Sequence, residues 1–177
     1  MTSRLLVDKI ESKSGNQIDL STHTLKMPSG SVIQVVQRQV ANSFFTTSNN
    51  ATYTDVTNFY VDITPKFNDS IVIFEAEVIG NVDSSSTHAD FRVVNSNDSD
   101  AVIHTGTHTA TFGYYNSMTS NFEEIPIRAV DANCGTTSTM RLQLQVSVGN
   151  NSGGSNSFKI NWSANAIKTI TATEISA

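Results

Sequence analysis

From Val32 onward the chain alternates between apolar and polar positions. Phe59, Val61 and Ile63 are separated by Tyr60 and Asp62, and Pro65 ends the run. Ile71–Ile79 sets Val72, Phe74, Ala76 and Val78 on one parity and Glu75 and Glu77 on the other. The clearest run is Met140, Leu142, Leu144, Val146 and Val148, interleaved with Arg141, Gln143, Gln145 and Ser147. A period of two over such lengths is the signature of a strand with one dry and one wet face. Phe158, Ile160, Trp162 and Ala164 repeat it against Lys159, Asn161 and Ser163, Phe91 and Val93 begin another strand, and Val102 and Ile103 mark a short one. A last strand carries Ile167, Ile170 and Ile175. Val32, Ile33, Val35 and Val36 are apolar at both parities, the pattern of a strand buried on both faces. No segment carries a 3.6-residue stripe. Polar turn clusters punctuate the chain at Thr46–Asn50, Val82–Thr87, Asn95–Asp100, Asn116–Ser120, Asn133–Thr137 and Gly149–Asn156. About nine or ten strands at this spacing predict an all-β fold, a jelly-roll-like β-sandwich with a short extended N-terminal arm.

The arm occupies residues 1–31 and the sandwich head residues 32–177. In the arm, Leu5, Leu6, Val7 and Ile10 suit one short strand, Ser14-Gly15-Asn16 a tight turn, and Ile18 and Leu20 a second strand. An isolated hairpin is at best marginal in water. The arm therefore packs either on the main domain or on copies of itself. The second is preferred, because so short an arm lends itself to threefold winding. Between arm and head, Pro28 forbids a regular helix or central strand and Gly30 frees φ two residues later.

Composition narrows the function classes. Charged residues make up 15% of the 177, well below the usual quarter. Ser, Thr and Asn fill the gap, which suits a surface that works by hydrogen bonding. The net charge of −5, with Lys and Arg scattered singly, argues against nucleic acid as a partner. Cys134 is the only cysteine, so no intrachain disulfide holds the fold. The first ten residues contain no long apolar run of the kind a secretory signal or membrane-inserting helix needs. Both features point to folding in a cytosol, with no membrane insertion.

Candidate chemistry is sparse. His104 and His108 flank Thr-Gly-Thr in a β context. Four residues of extended chain span about 13 Å, too far for one ion held by one chain. These two histidines are a metal candidate only across symmetry mates on a trimer axis, and no cofactor is expected. Asn97-Asp98-Ser99-Asp100 clusters oxygen ligands but lacks the spacing and closing Glu of a calcium loop, so it reads as a polar turn. Glu75 and Glu77 have the chemistry of a glycosidase carboxylate pair, and the wet face of a strand accounts for them as well. No Gly-x-Ser-x-Gly elbow occurs. Tyr114-Tyr115 beside the Asn116–Ser120 turn offers an apolar ring with a hydroxyl handle, suited to sugar or protein. The expected contact surface is a set of loops distal to the arm, carrying Ser85, Asn97, Asp98, Tyr114, Tyr115 and Asn116.

Three stretches together resemble a known group. The arm segment Leu6-Val-Asp-Lys-Ile-Glu-Ser-Lys-Ser-Gly resembles the N-terminal segment of phage tail-fibre and virion-appendage proteins, cyanophage ones among them. Leu25-Lys-Met-Pro-Ser-Gly-Ser-Val-Ile-Gln-Val-Val-Gln resembles the neck motif that follows it. Tyr60-Val-Asp-Ile-Thr-Pro-Lys-Phe-Asn-Asp-Ser-Ile-Val-Ile and the closing Ile170-Thr-Ala-Thr-Glu-Ile-Ser are similar to the body and last strand of that group. Residues 82–120 depart most from it. The resemblance implies a non-enzymatic homotrimer in the virion, assembled in the host cytoplasm. Its arm would bind other virion proteins of tail or capsid, and its head would meet a host surface glycan or protein. The closest rival is a capsid decoration or head-fibre protein, and the next a polysaccharide-cleaving tail enzyme.

Overall fold

The computed structural model describes residues 28–40, 45–48, 52–82, 87–103, 110–112, 123–150, 157–160 and 168–177. Their strands pair in two antiparallel sheets. The first holds β1 (Val32–Val40), β2 (Phe45–Ser48), β4 (Ile71–Val82), β8 (Glu123–Asp131), β10 (Ser157–Ile160) and β11 (Lys168–Ile175). The second holds β3 (Thr54–Ile63), β5 (Thr87–Asn95), β6 (Ala101–Ile103), β7 (Ala110–Phe112) and β9 (Met140–Asn150).

Four pairings define the topology: β1 with β11, β3 with β9, β4 with β8, and β5 with β6. These partners are nested in sequence, outermost with outermost and innermost with innermost. The chain is one long hairpin rolled into two layers, which is jelly-roll connectivity. The first sheet runs β1-β11-β4-β8, with β10 and β2 continuing beside the far end of β4. The second runs β3-β9-β5-β6, with β7 also on β5.

The core lies between the sheets and follows the parity of the sequence. Val72, Phe74, Ala76 and Val78 of β4, with Ile170 and Ala172 of β11, face Phe59, Val61 and Ile63 of β3 and Leu142, Leu144, Val146 and Val148 of β9. Phe59, Phe74, Leu142 and Leu144 are fully buried. Each buried side chain of this size contributes about 1.5–3 kcal/mol relative to exposure.

The structure departs from the sequence reading in several places, four of which bear on the packing. First, β1 is an edge strand, not a strand buried on both faces. Val40 is buried and Val36 half-buried against the core, while Val32 and Val35 lie open on the outer surface. A bulge makes this possible. Val32 pairs with Ile175 and Gln34 with Glu174, so the parity of β1 flips at Ile33 and puts both valines on the outward face. Second, β8 has no counterpart among the predicted runs. Pro126 interrupts its alternation, and the strand accommodates proline because it is an edge of its sheet. Third, Phe45–Ser48 is a strand paired with β10, although Thr46–Asn50 reads as a turn.

Fourth, the polar face of β9 is not wet. Gln143, Gln145 and Ser147 are only 6%, 4% and 6% exposed. Strand β3 carries four residues, Val56 to Phe59, where β9 has only Leu144, and Asn58 sits in the bulge at φ 61°. The Gln143 side-chain amide fills that bulge. Its Nε2 donates to the carbonyls of Val56 (2.8 Å), Leu144 (3.0 Å) and Phe59 (3.3 Å). Gln145 accepts from Arg92 Nε at 2.7 Å and donates to Asp55 at 2.8 Å.

The two faces of β9 should therefore both be intolerant of truncation. Leu144→Ala is expected to cost roughly 2–5 kcal/mol through the cavity it leaves. Gln143→Ala is expected to cost about 1–3 kcal/mol, because buried carbonyls lose their donor. Urea unfolding of both variants checks this. A Gln143→Ala variant as stable as the parent would mean that the bulge is held by something else.

Candidate functional site at the neck end

The antiparallel order of the strands sorts the loops into two ends. Strand β1 starts, β3 ends, β4 starts, β5 ends, β8 ends, β9 starts and β11 ends at one end, where residues 28–31 join the head. The ends of β4 and β9 and the starts of β5 and β10 belong to the opposite end. The neck is a turn. Gly30 takes φ 83°, and the Ser31 N–H donates to the Pro28 carbonyl at 3.0 Å. Gly30 is the residue suited to that left-handed backbone. The turn is stitched to the end of the last strand. Gly30 N–H donates to the Ser176 carbonyl at 2.8 Å, and Ser176 N–H to the Ser31 carbonyl at 2.9 Å. Residues 28–31 are thus bonded to the head.

Beneath this stitch lies Glu174, a carboxylate with no exposed surface. It shares the core-facing parity of β11 with Ile170 and Ala172. Oε2 accepts from Gln34 Nε2 at 2.6 Å. Oε1 accepts from Ser70 Oγ at 2.7 Å, Lys66 N–H at 2.8 Å and Phe67 N–H at 3.2 Å. Burial by itself would push the carboxyl up. The hydrogen bonds from Ser70, Gln34, Lys66 and Phe67 outweigh burial and hold it below the usual carboxylate range. Glu174 thereby joins β1, the β3–β4 loop and β11. Ser70 passes the connection on, since its carbonyl accepts from Cys134 N–H at 3.0 Å. The Cys134 thiol has two carbonyls, of Phe67 and Thr136, within reach of its single S–H at 3.3 Å each, and burial pushes its pKa up. It is a hydrogen-bonded structural thiol, not an activated one.

The open seam between the edge strands of the two sheets is closed by side chains. Gln34 Nε2 also donates to the Thr64 carbonyl at 2.7 Å, and Arg38 Nη1 to the Tyr60 carbonyl at 2.9 Å. The Tyr60 ring is stacked by two guanidinium groups, Arg38 at 3.7 Å and Arg141 at 4.1 Å from its centroid. Arg141 is held by Asp62 through bonds of 2.8 and 3.0 Å. On the outer face of the first sheet, the polar row holds Arg128 against Glu75 at 3.3 Å and Lys168 against Glu124 at 3.2 Å and Glu77 at 3.9 Å. Glu75 and Glu77 therefore line an open groove with cations beside them, together with Thr169 and Thr171.

Of the residues singled out from sequence, Asn97 and Asp98 are described, and their placement is a correction. The Asn95–Asp100 turn lies at the neck end, not distal to the arm. Strand β5 has nine residues, so its two flanking loops are separated by about 30 Å and sit at opposite ends. Asn97 is occupied in holding its own turn. Its Nδ2 donates to the Thr139 carbonyl at 2.9 Å, and its N–H to Asn95 Oδ1 at 3.2 Å. The same Oδ1 accepts from Arg141 N–H at 3.2 Å. Asp98 is exposed, and its backbone closes the turn. Ser85, His104, His108, Tyr114, Tyr115 and Asn116 lie outside the described residues, as do Leu5, Leu6, Val7, Ile10, Ile18 and Leu20 of the arm. Among the described residues no group of three His, Cys, Asp or Glu converges as metal ligands would. The sequence reading passed over Glu174, Arg38 and Tyr60. The usable signal was parity: an acid at the core-facing position of an otherwise apolar strand needs donors around it.

The molecule is thus defined as an antiparallel jelly-roll sandwich with a hydrogen-bonded neck. No family model matches the chain, and no curated protein matches it. Among solved structures it is similar to a chain of infectious bursal disease virus Gt strain, with a TM-score of 0.49, 11% identity, and coverage of 83% of this chain and 38% of that one. It is also similar to the infectious bursal disease virus VP2 subviral particle, with a TM-score of 0.44, 13% identity, and coverage of 83% and 38%. The chain spans less than two-fifths of the length of these structures. Its fold is defined by its own strand pairings.

The Glu174 cage should make stability fall on the acid side. A carboxyl held low in the folded state contributes stability fully above its unfolded value of about 4.3, and that contribution is lost as pH falls through the lowered folded value. The melting temperature of the parent is expected to drop steeply below about pH 4.3. Glu174→Gln is expected to be less stable at pH 7 and to show a shallower acid slope. Equal slopes for parent and variant would remove Glu174 from the account.

Proposed function

We propose that this chain is a structural protein of a virion, the head of a phage tail fibre or related appendage. It acts as a homotrimer without catalysis, its N-terminal arm attaching to other virion proteins and its head facing a host-surface glycan or protein. The observation that carries this reading is the neck. The segment whose sequence resembles the appendage neck motif is the one stitched to the last strand at Gly30 and Ser31 and tied to Glu174 through Gln34. A load on residues 1–27 is transmitted into the cage, not into a loose loop. Residues 28–31 and the strand ends at Val82, Thr87, Asn150 and Ser157 lie at opposite ends of the sandwich. That arrangement suits a module held at one end and presented at the other. Weak sites on three subunits of several heads would add up to strong adhesion by multivalency.

Gold-labelled antibody on purified virions, imaged in negative stain, tests the placement. Label at tail or appendage tips is expected, whereas label spread over the capsid shell would replace this reading by a decoration role. Adsorption of the purified protein to host cells tests the polarity. Replacing residues 83–86 by a minimal turn is expected to abolish adsorption and leave the melting temperature within a few degrees. Asp98→Ala, at the neck end, is expected to leave adsorption unchanged. The reverse outcome would place the contact surface beside the neck.

A further inference from the structure

We infer that the outer face of the first sheet, at its neck end, is a contact between copies of this chain. Two rows of side chains cross that face. One is Val35, Thr173, Ile73 and Val130, aligned by the pairing of β1, β11, β4 and β8. The next is Val32, Ile175 and Ile71. Val32 and Val35 are 56% and 54% exposed, and among the described residues Val102 is the only other exposed large hydrophobic side chain. They share this face only because of the bulge at Ile33. A regular strand would have sent one of them to the other side. The adjoining row is polar and charged, with Gln37, Thr171, Glu75 and Arg128, so the apolar band stops short of the middle of the face.

The two edges of the sheet differ in the same sense. Strand β8 is guarded by Pro126 and by the charges of Glu124 and Arg128, the usual defence against edge pairing. Strand β1 carries one charge, Arg38, and that guanidinium is turned onto Tyr60. Its outer edge has no strand partner among the described residues.

A second copy is the occupant that fits. The band lies at the end where the chain enters at Pro28, and residues 1–27 before it carry further apolar residues, Leu5, Leu6, Val7, Ile10, Ile18 and Leu20 among them. Copies that meet through this band bring their residues 28–31 together, so the points from which their arms start are side by side. Six apolar side chains are far fewer than the roughly 20–30 residues per partner of a standard interface. The band is therefore one part of the contact between copies and not the whole of it. This inference rests on the virion reading for its purpose, and its geometry stands without it.

Sedimentation equilibrium of the full chain tests it, comparing the parent with Val32→Glu/Val35→Glu, with Val32→Thr/Val35→Thr, and with Gln39→Glu farther along β1. Thr keeps the branched shape that a strand favours, so that variant guards against misfolding. The parent is expected to self-associate. Both double variants are expected to raise the dissociation constant about tenfold or more while keeping the parent's β-type circular dichroism, and Gln39→Glu is expected to leave it unchanged. A monomeric parent, its arm covering its own band, would overturn the inference, as would double variants that associate like the parent. Gold label on virions with unweakened association of the variants would sink this contact alone. Weakened association with no label on virions would keep the contact and sink the virion reading.

Discussion

The buried carboxylate of Glu174 is the constraint that the neck end obeys. Taking an unpaired charge out of water costs several kcal/mol, so the surrounding chain has to supply donors. Four donors come from two separate segments, Gln34 in β1 and Lys66, Phe67 and Ser70 in the β3–β4 loop, all converging on Glu174 of β11. Each donor fixes one of these segments against the last strand. The loop cannot shift without leaving an oxygen bare, and β1 cannot slip in register without withdrawing Gln34. The jelly roll is closed here by polar satisfaction, where most of the sandwich is closed by apolar packing.

The same logic runs along the seam. A sandwich with edge strands β1 and β3 on one side exposes the margin of its core there. Gln34 and Arg38 reach from the first sheet to the Thr64 and Tyr60 carbonyls of the second, and the Tyr60 ring lies against Arg38 and Arg141. The seam and the carboxylate cage share Gln34, so neck, last strand and seam form one connected unit. The ends of β4 and β9 and the starts of β5 and β10 lie at the opposite end of the sandwich, away from that unit.

The alternation along the chain determined the all-β class and nearly every core position, because side-chain period in a strand is a local property. Phe59, Val61, Ile63, Val72, Phe74, Leu142, Leu144 and Val146 are buried as their parity requires. The order of the strands also determined more than was read from it. Loops flanking one antiparallel strand must lie at opposite ends, so Val82–Thr87 and Asn95–Asp100 could never share a surface. What parity could not give was the fate of the second face. Gln143 and Gln145 look solvated in one dimension, and they are buried because β3 bulges over the first and Arg92 and Asp55 cap the second. Val32 and Val35 look buried on both faces, and they are exposed because a bulge turns both outward. Glu174 was visible as an acid on an apolar parity, but its four donors lie more than a hundred residues away in sequence. Burial of a backbone's alternate face, the satisfaction of a charge and the exposure of an edge all depend on which distant segments arrive beside it. Those were decided only when the nested hairpin rolled up into two sheets.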